Sequence, residues 1–206
     1  MIVPVESAKA FVFDFDGTLV DSNEIKRSGF EHVFSEYPGR MAEIRAHCRT
    51  LNHTIRGEKF RFVCERILHI EYTAERERSL HERYAAYTTE SVARAPELPG
   101  AAQFVRQVQD RPTALLSSTP HEILLEILRR KGWQSMFQVI QGAPVIKREW
   151  LQGYRKSIGC AAQEILFFGD TDEDADSARD VGCEFVRVGV AGGPGLTIED
   201  FRVLLK

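Results

Sequence analysis

The chain lacks a cysteine framework. Cys48, Cys64, Cys160 and Cys183 stand far apart with no CxxC pair, which excludes a zinc knuckle and a secreted disulfide scaffold and leaves them as reduced structural thiols. It also lacks a dominant charge: 27 Lys and Arg face 30 Asp and Glu, a formal net charge of −3. Neither nucleic acid nor an anionic membrane is therefore expected as a partner. No apolar run approaches the roughly 20 residues of a membrane span. The opening MIVPVESAKA has no basic stretch followed by a long apolar one, as a secretory leader would. The expectation is a cytoplasmic protein, and with no repeats or low-complexity tracts it reads as ordinary globular chain. At 206 residues, 43% hydrophobic and 28% charged, it has enough material for one domain, or for a core carrying an insertion.

Short apolar runs occur at residues 8–16, 113–116, 164–168 and 184–190, each the pattern of a buried parallel strand. Helical patterns alternate with them. They run over 101–109, over 121–131 with Thr119 as cap, Pro120 at the first helical position and Gly132 as stop, over 149–158 stopped by Gly159, and over 174–181 stopped by Gly182. Strand alternating with helix predicts an α/β fold, a Rossmann-like doubly wound parallel sheet. Residues 22–94 break the alternation with successive amphipathic helices, the last over about 73–94. The Pro/Gly-rich Ala95-Pro-Glu-Leu-Pro-Gly100 then returns the chain to the sheet. The expected division is a core of 1–20 with 95–206 and an inserted α-helical cap of 21–94.

Ligands of open α/β sheets bind at the carboxyl ends of the strands, so the residues there matter most. The first strand ends in Asp14-Phe-Asp16-Gly-Thr18, the second in Ser117-Ser118-Thr119, Lys147 follows Pro144-Val-Ile, and another strand ends in Gly169-Asp170-Thr-Asp172-Glu-Asp174. Carboxylates converging on one point raise each other's pKa unless a cation lies among them. Mg²⁺ suits such a set, because it takes a few carboxylates and completes its shell with water and phosphate. Lys147 with the hydroxyls of Ser117 and Ser118 would complete a phosphate pocket, and the helix opened by Thr119-Pro120 favours an anion at its N-terminus.

In order and spacing these residues resemble the haloacid dehalogenase (HAD) superfamily of phosphohydrolases, across the whole chain. DFDGTLVDS from Asp14 matches its first motif, Ser117 its second, Lys147 its third, and Gly169-Asp170-Thr-Asp-Glu-Asp174 its fourth. Relatives often carry Lys-Pro at the third motif, whereas here Pro144 precedes the lysine and Arg148 follows it. The resemblance implies Asp14 as nucleophile, Asp16 as acid and base, and catalytic roles for Ser117 and Lys147. It implies Mg²⁺ ligands from the Asp14 side chain, the Asp16 main-chain carbonyl and Asp170, with Asp174 behind them orienting Lys147 or a bound water. Thr18 and Ser118 are expected on the substrate.

The same resemblance makes the helical insert a cap that closes over the site. Within it Asn52-His53-Thr54-Ile55-Arg56-Gly57-Glu58-Lys59-Phe60 reads as a polar break between helices. Arg56, with His53 or Lys59, is the candidate contact to substrate; solvated loop charge is the alternative. Asp21-Ser22 reads as a hinge and helix cap, and Gly192-Gly-Pro-Gly195, which lacks the Lys-Ser/Thr of a phosphate loop, as a surface turn. The expected activity is Mg²⁺-dependent hydrolysis of a small phosphorylated metabolite by a monomer or homodimer. Asp16 argues against a dehalogenase, which has no leaving alcohol to protonate. A phosphomutase, a phosphonatase with a Schiff-base lysine from Lys26 or Lys59, and a non-catalytic binding protein remain the alternatives. A response-regulator receiver places its phosphorylated Asp on a middle strand and has no such insert.

Overall fold

In the computed structural model of the protein, residues 3–50, 56–189 and 195–206 are described. The chain divides into two compact units, Met1–Asp21 with Ala95–Lys206, and Ser22–Arg94. No helix among the described residues is long and apolar enough to cross a membrane.

The first unit is built on strands β1 (Ala10–Phe13), β2 (Thr113–Pro120), β3 (Val139–Ala143), β4 (Ile165–Gly169), β5 (Glu184–Val188) and β6 (Leu196–Ile198). They form one parallel sheet in the order β3-β2-β1-β4-β5-β6. Side chains alternate across the sheet, and both faces are apolar. Ala10, Val12, Ala114, Leu116, Ile165 and Phe167 pack with Leu151, Tyr154 and Ala178. Phe13, with the opposite parity, stacks on Phe168 at 5.1 Å between centroids and meets Phe104 and Phe201. A sheet buried on both faces needs continuous apolar strands, which is why FVF and ILFF are visible as runs in the sequence.

Two strands escape that pattern. β3 carries Gln141 and Gly142 and is mostly half-exposed, and β6 is three residues at the other edge. Edge strands need not be apolar, so the periodicity did not mark them. β1 is shorter than the run that announced it. Its ladder ends at Phe13, with one more bond from the Asp14 amide to the Phe168 carbonyl at 2.8 Å. The chain then turns through Gly17 at φ 79°, whose amide bonds to the Val20 carbonyl. Of 190–195, only Gly195 is among the described residues.

In the helical unit, α1 (Asn23–Val33), α2 (Met41–Thr50), α3 (Arg56–Phe62), a π-helical turn (Val63–Leu68) and α4 (Ala74–Arg94) enclose a core of Phe30, Phe34, Phe60, Val63, Leu80 and Tyr84. A Cβ on Gly29 would lie 2.7 Å from the Tyr84 ring, so glycine there lets α1 lie close against α4. Gly57, expected in a loop, stands inside α3. Ser22 is the N-cap position of α1, as expected, though its side chain makes no capping bond.

The first unit's helices are α5 (Ala101–Gln107), α6 (His121–Lys131), α7 (Lys147–Ser157) and α8 (Asp172–Val181). Three starts differ from expectation. α6 has Pro120 at its N-cap without a side-chain cap bond, because β2 runs on through Thr119 and gives that hydroxyl another partner. α7 begins at Lys147, two residues early, so the lysine is the first helical residue instead of preceding the helix. α8 begins at Asp172, capped reciprocally by Thr171 and Asp174.

Candidate active site

The parallel register brings the ends of β1, β2 and β4 level, since Phe13 pairs with both Leu115 and Phe168. Asp14 follows directly and is 5% exposed. Lys147, 3% exposed, comes to it from the start of α7. Its Nζ lies 2.8 Å from Asp14 Oδ1 and 2.6 Å from Asp174 Oδ1. Asp174 is held in turn: its Oδ2 accepts from the Thr171 hydroxyl at 2.6 Å and the Thr171 amide at 3.2 Å. Gly169 makes this approach possible, because a Cβ there would fall 2.5 Å from Asp174 Cβ. The glycine of the GD pair is thus a steric requirement of the site.

Electrostatics follow from burial. Desolvation pushes the Asp14 carboxyl well above the usual range; Lys147 opposes the rise, and Asp174 and Asp170 add to it. For Lys147, burial acts to lower the pKa, but the two carboxylates bonded to it outweigh burial and the net shift is upward. The lysine therefore stays an ammonium.

Asp14, Asp170 and Asp174 each offer one oxygen, and these oxygens all lie within 4.8 Å of one another. Three carboxylates against one ammonium leave net negative charge, and the donors are hard oxygens only. That set fits a Mg²⁺ ion completed by water and phosphate. Asp174, expected only behind the ligands, stands both on Lys147 and within this trio.

Asp16 stands apart from the trio by its side chain. Its Oδ2 accepts from the Thr119 hydroxyl at 2.7 Å, so two carboxylates two residues apart have different surroundings. Ser117 is buried, and its Oγ accepts from the Thr119 amide at 3.1 Å, while Ser118 next to it is exposed. Thr18 is fully buried, with its hydroxyl 3.4 Å from Asp170 Oδ1. Asp14, Asp16, Ser117, Lys147, Thr18, Asp170 and Asp174 are thus gathered at one end of the sheet.

Arg56 belongs to the helical unit and lies over the Tyr84 ring, 4.3 Å from its centroid. Lys59 is 8% exposed there, donating to the Cys48 carbonyl at 3.2 Å over the Phe30 ring. His53 lies outside the described residues. Thr119 and Thr171 went unrecognised as site residues in the sequence. Thr171 carried a signal, the capping pattern Thr-x-x-Asp; Thr119 stood out only as a strand-end residue and helix cap, and nothing local pointed to its partner 103 positions away.

A buried carboxylate-lysine constellation at the carboxyl end of a doubly wound sheet defines the class of an α/β enzyme acting at its strand ends. Over residues 11–188 the chain matches the family described as haloacid dehalogenase-like hydrolase, and it belongs to that family. It is 29% identical to a phosphoglycolate phosphatase of Synechococcus elongatus over 193 residues, 87% of this chain and 83% of that one. In fold it is similar to a haloacid dehalogenase-like family hydrolase from Streptococcus pneumoniae, with TM-score 0.72, 18% identity and 97% and 98% of the two chains covered. It is also similar to the HAD-hydrolase YfnB from Bacillus subtilis, solved bound to magnesium, with TM-score 0.74, 16% identity and 96% of each chain covered.

Proposed function

We propose that this hydrolase is a Mg²⁺-dependent phosphatase that cleaves a small phosphomonoester through an aspartyl-phosphate intermediate. The observation that carries the reading is the difference between its first two carboxylates: Asp14 is buried against Lys147, and Asp16 is held separately by Thr119. Asp14 attacks phosphorus in line, forming the acyl-phosphate bond as the bond to the leaving oxygen breaks. Asp16 gives that oxygen its proton. Asp16 then takes a proton from the water that attacks phosphorus, which releases inorganic phosphate and restores the Asp14 carboxylate.

Lys147 faces the developing phosphoryl charge, and the hydroxyls of Ser117, Ser118 and Thr18 orient the phosphate oxygens. A Mg²⁺ ion held by Asp14, Asp170, the Asp16 main-chain carbonyl and the adjoining Asp174 would supply further neutralisation of that charge. The helical unit serves as a cap whose Arg56 contacts the substrate. Lys59, turned to the Cys48 carbonyl in the helical core, is poorly placed for the Schiff-base chemistry of a phosphonatase, which leaves Lys26 to that alternative. The kinship with a phosphoglycolate phosphatase supports a small phosphorylated acid as substrate, and the magnesium of the Bacillus subtilis structure supports the metal. Four free thiols, three of them buried, support a cytoplasmic setting.

The test is phosphate release from sugar phosphates, phosphoglycolate, nucleotides and an aryl phosphate, with Mg²⁺, with chelator and with Asp14→Asn. Release that needs Mg²⁺ and disappears in Asp14→Asn is expected. Failure to release phosphate from any compound would sink the phosphatase reading in favour of a mutase, a phosphonatase or a binding protein.

A further inference from the structure

Arg187 lies on β5, the strand next to β4, and no motif in the sequence points to it. The register pairs it with Gly169, the last residue before the acidic loop. Its guanidinium is half-buried and reaches that loop with both terminal nitrogens. Nη1 donates to the main-chain carbonyl of Asp170 at 2.8 Å, and Nη2 donates to the Asp172 carboxylate at 2.7 Å. The two acceptors flank Thr171, the cap of α8. One planar fork therefore spans the junction at which the chain leaves β4 and enters the helix.

We propose that Arg187 is a positioning residue for the acidic trio, fixing the backbone from which the Asp170 carboxylate projects. Lys147 bonds directly to the side chains of Asp14 and Asp174, and Arg187 adds a bond to the main chain of Asp170. Arg187 acts on Asp170 through its peptide, leaving the carboxylate oxygens for a cation. Its positive charge also offsets repulsion within Asp170-Thr-Asp-Glu-Asp174 without occupying the trio. A lysine could supply the charge but not two bonds in a fixed geometry. Partners that orient metal ligands typically change metal affinity by 10–100-fold when removed.

This inference rests on the metal reading above, and the test separates the two. Mn²⁺, a spectroscopic stand-in for Mg²⁺, is titrated by electron paramagnetic resonance into wild type, Asp170→Asn, Arg187→Ala, Arg187→Lys and Asp172→Asn. Thermal melts in the absence of metal verify folding. The expectation is about tenfold weaker binding in Arg187→Ala and Arg187→Lys and a smaller loss in Asp172→Asn, which removes only the exposed end of the bridge. The metal concentration needed for half-maximal activity should rise in parallel, with kcat largely recovered at saturation. Wild-type affinity in folded Arg187→Ala or Arg187→Lys overturns the proposal, because geometry would then contribute nothing beyond packing or charge. If Arg187→Ala does not fold, undiminished affinity in both Arg187→Lys and Asp172→Asn overturns it. Absence of binding in wild type, or full binding in Asp170→Asn, overturns the metal reading itself and this proposal with it.

Discussion

At the scale of single residues, the site separates two carboxylates that share one short stretch of chain. Asp14 points at an ammonium and other carboxylates, whereas Asp16 receives a hydroxyl hydrogen bond from Thr119. If that bond fixes the carboxyl that exchanges protons with the leaving group, its loss is felt in turnover. A hydrogen bond to a charged group contributes about 1.5–3 kcal/mol, and about 1.4 kcal/mol is a factor of ten in rate. Thr119→Val should therefore lower kcat by about tenfold or more with metal affinity unchanged, and Thr119→Ser should restore it; steady-state kinetics over a range of Mg²⁺ concentrations checks both.

At the scale of elements, helix starts deliver part of the charged site of the first unit: Lys147 opens α7, and Asp172 and Asp174 lie in the first turn of α8. Acidic residues are favourable in a first turn and a lysine is not, so Lys147 is kept there by its two carboxylate partners. In the helical unit α3 carries the opposite case, a buried Lys59 with a carbonyl and a ring for partners and, among the described residues, no carboxylate in its hydrogen bonds. Burial lowers its pKa, the nearby Cys48 opposes the shift and Arg27 adds to it. The charged form is thus disfavoured in the folded state. Its cost is fully present at pH below the lowered folded pKa and fades as pH rises to the ordinary lysine value of 10.5. Lys59→Met should flatten the rise in melting temperature between neutral pH and pH 10. At pH 7 it should match or exceed wild type by about 2–4 °C, the equivalent of roughly 1 kcal/mol for a chain of this size. A melting temperature several degrees below wild type would show that the ammonium stabilises the unit.

For the whole molecule, the first unit is completed by chain from both sides of the insert: β1 comes before it and β2 through β6 after it. The site draws on residues as far apart as Asp14 and Asp174, so it is complete only once the unit has folded. The proposed Mg²⁺ site would also couple metal to stability, because binding to the folded state alone stabilises by about 2.7 kcal/mol at a hundredfold excess over Kd. Mg²⁺ at that excess should raise the melting temperature by roughly 5–10 °C. The rise should vanish in Asp170→Asn, as scanning calorimetry with and without chelator would show.

The sequence by itself determined the sheet's central strands, the insertion and the residues at the strand ends. A strand buried on both faces must be written as an unbroken apolar run, and a carboxylate at its end stands out against that run. Asp14, Asp16, Asp170 and Asp174 stand out for that reason after β1 and β4, whereas Lys147 is marked by the resemblance to a family motif. The edge strands β3 and β6 were not, since exposure relaxes their composition, and the starts of α6, α7 and α8 were misplaced by two residues or fewer. Only the tertiary structure decided what each polar group bonds to. It drew Thr119 from a helix cap to Asp16 and placed Asp174 within the trio as well as on Lys147. It closed Lys59 into a helical core and brought Arg187 across from the neighbouring strand. Each of these is a contact between residues distant in sequence, and no local pattern encodes the partner of a side chain whose bond is closed by the fold.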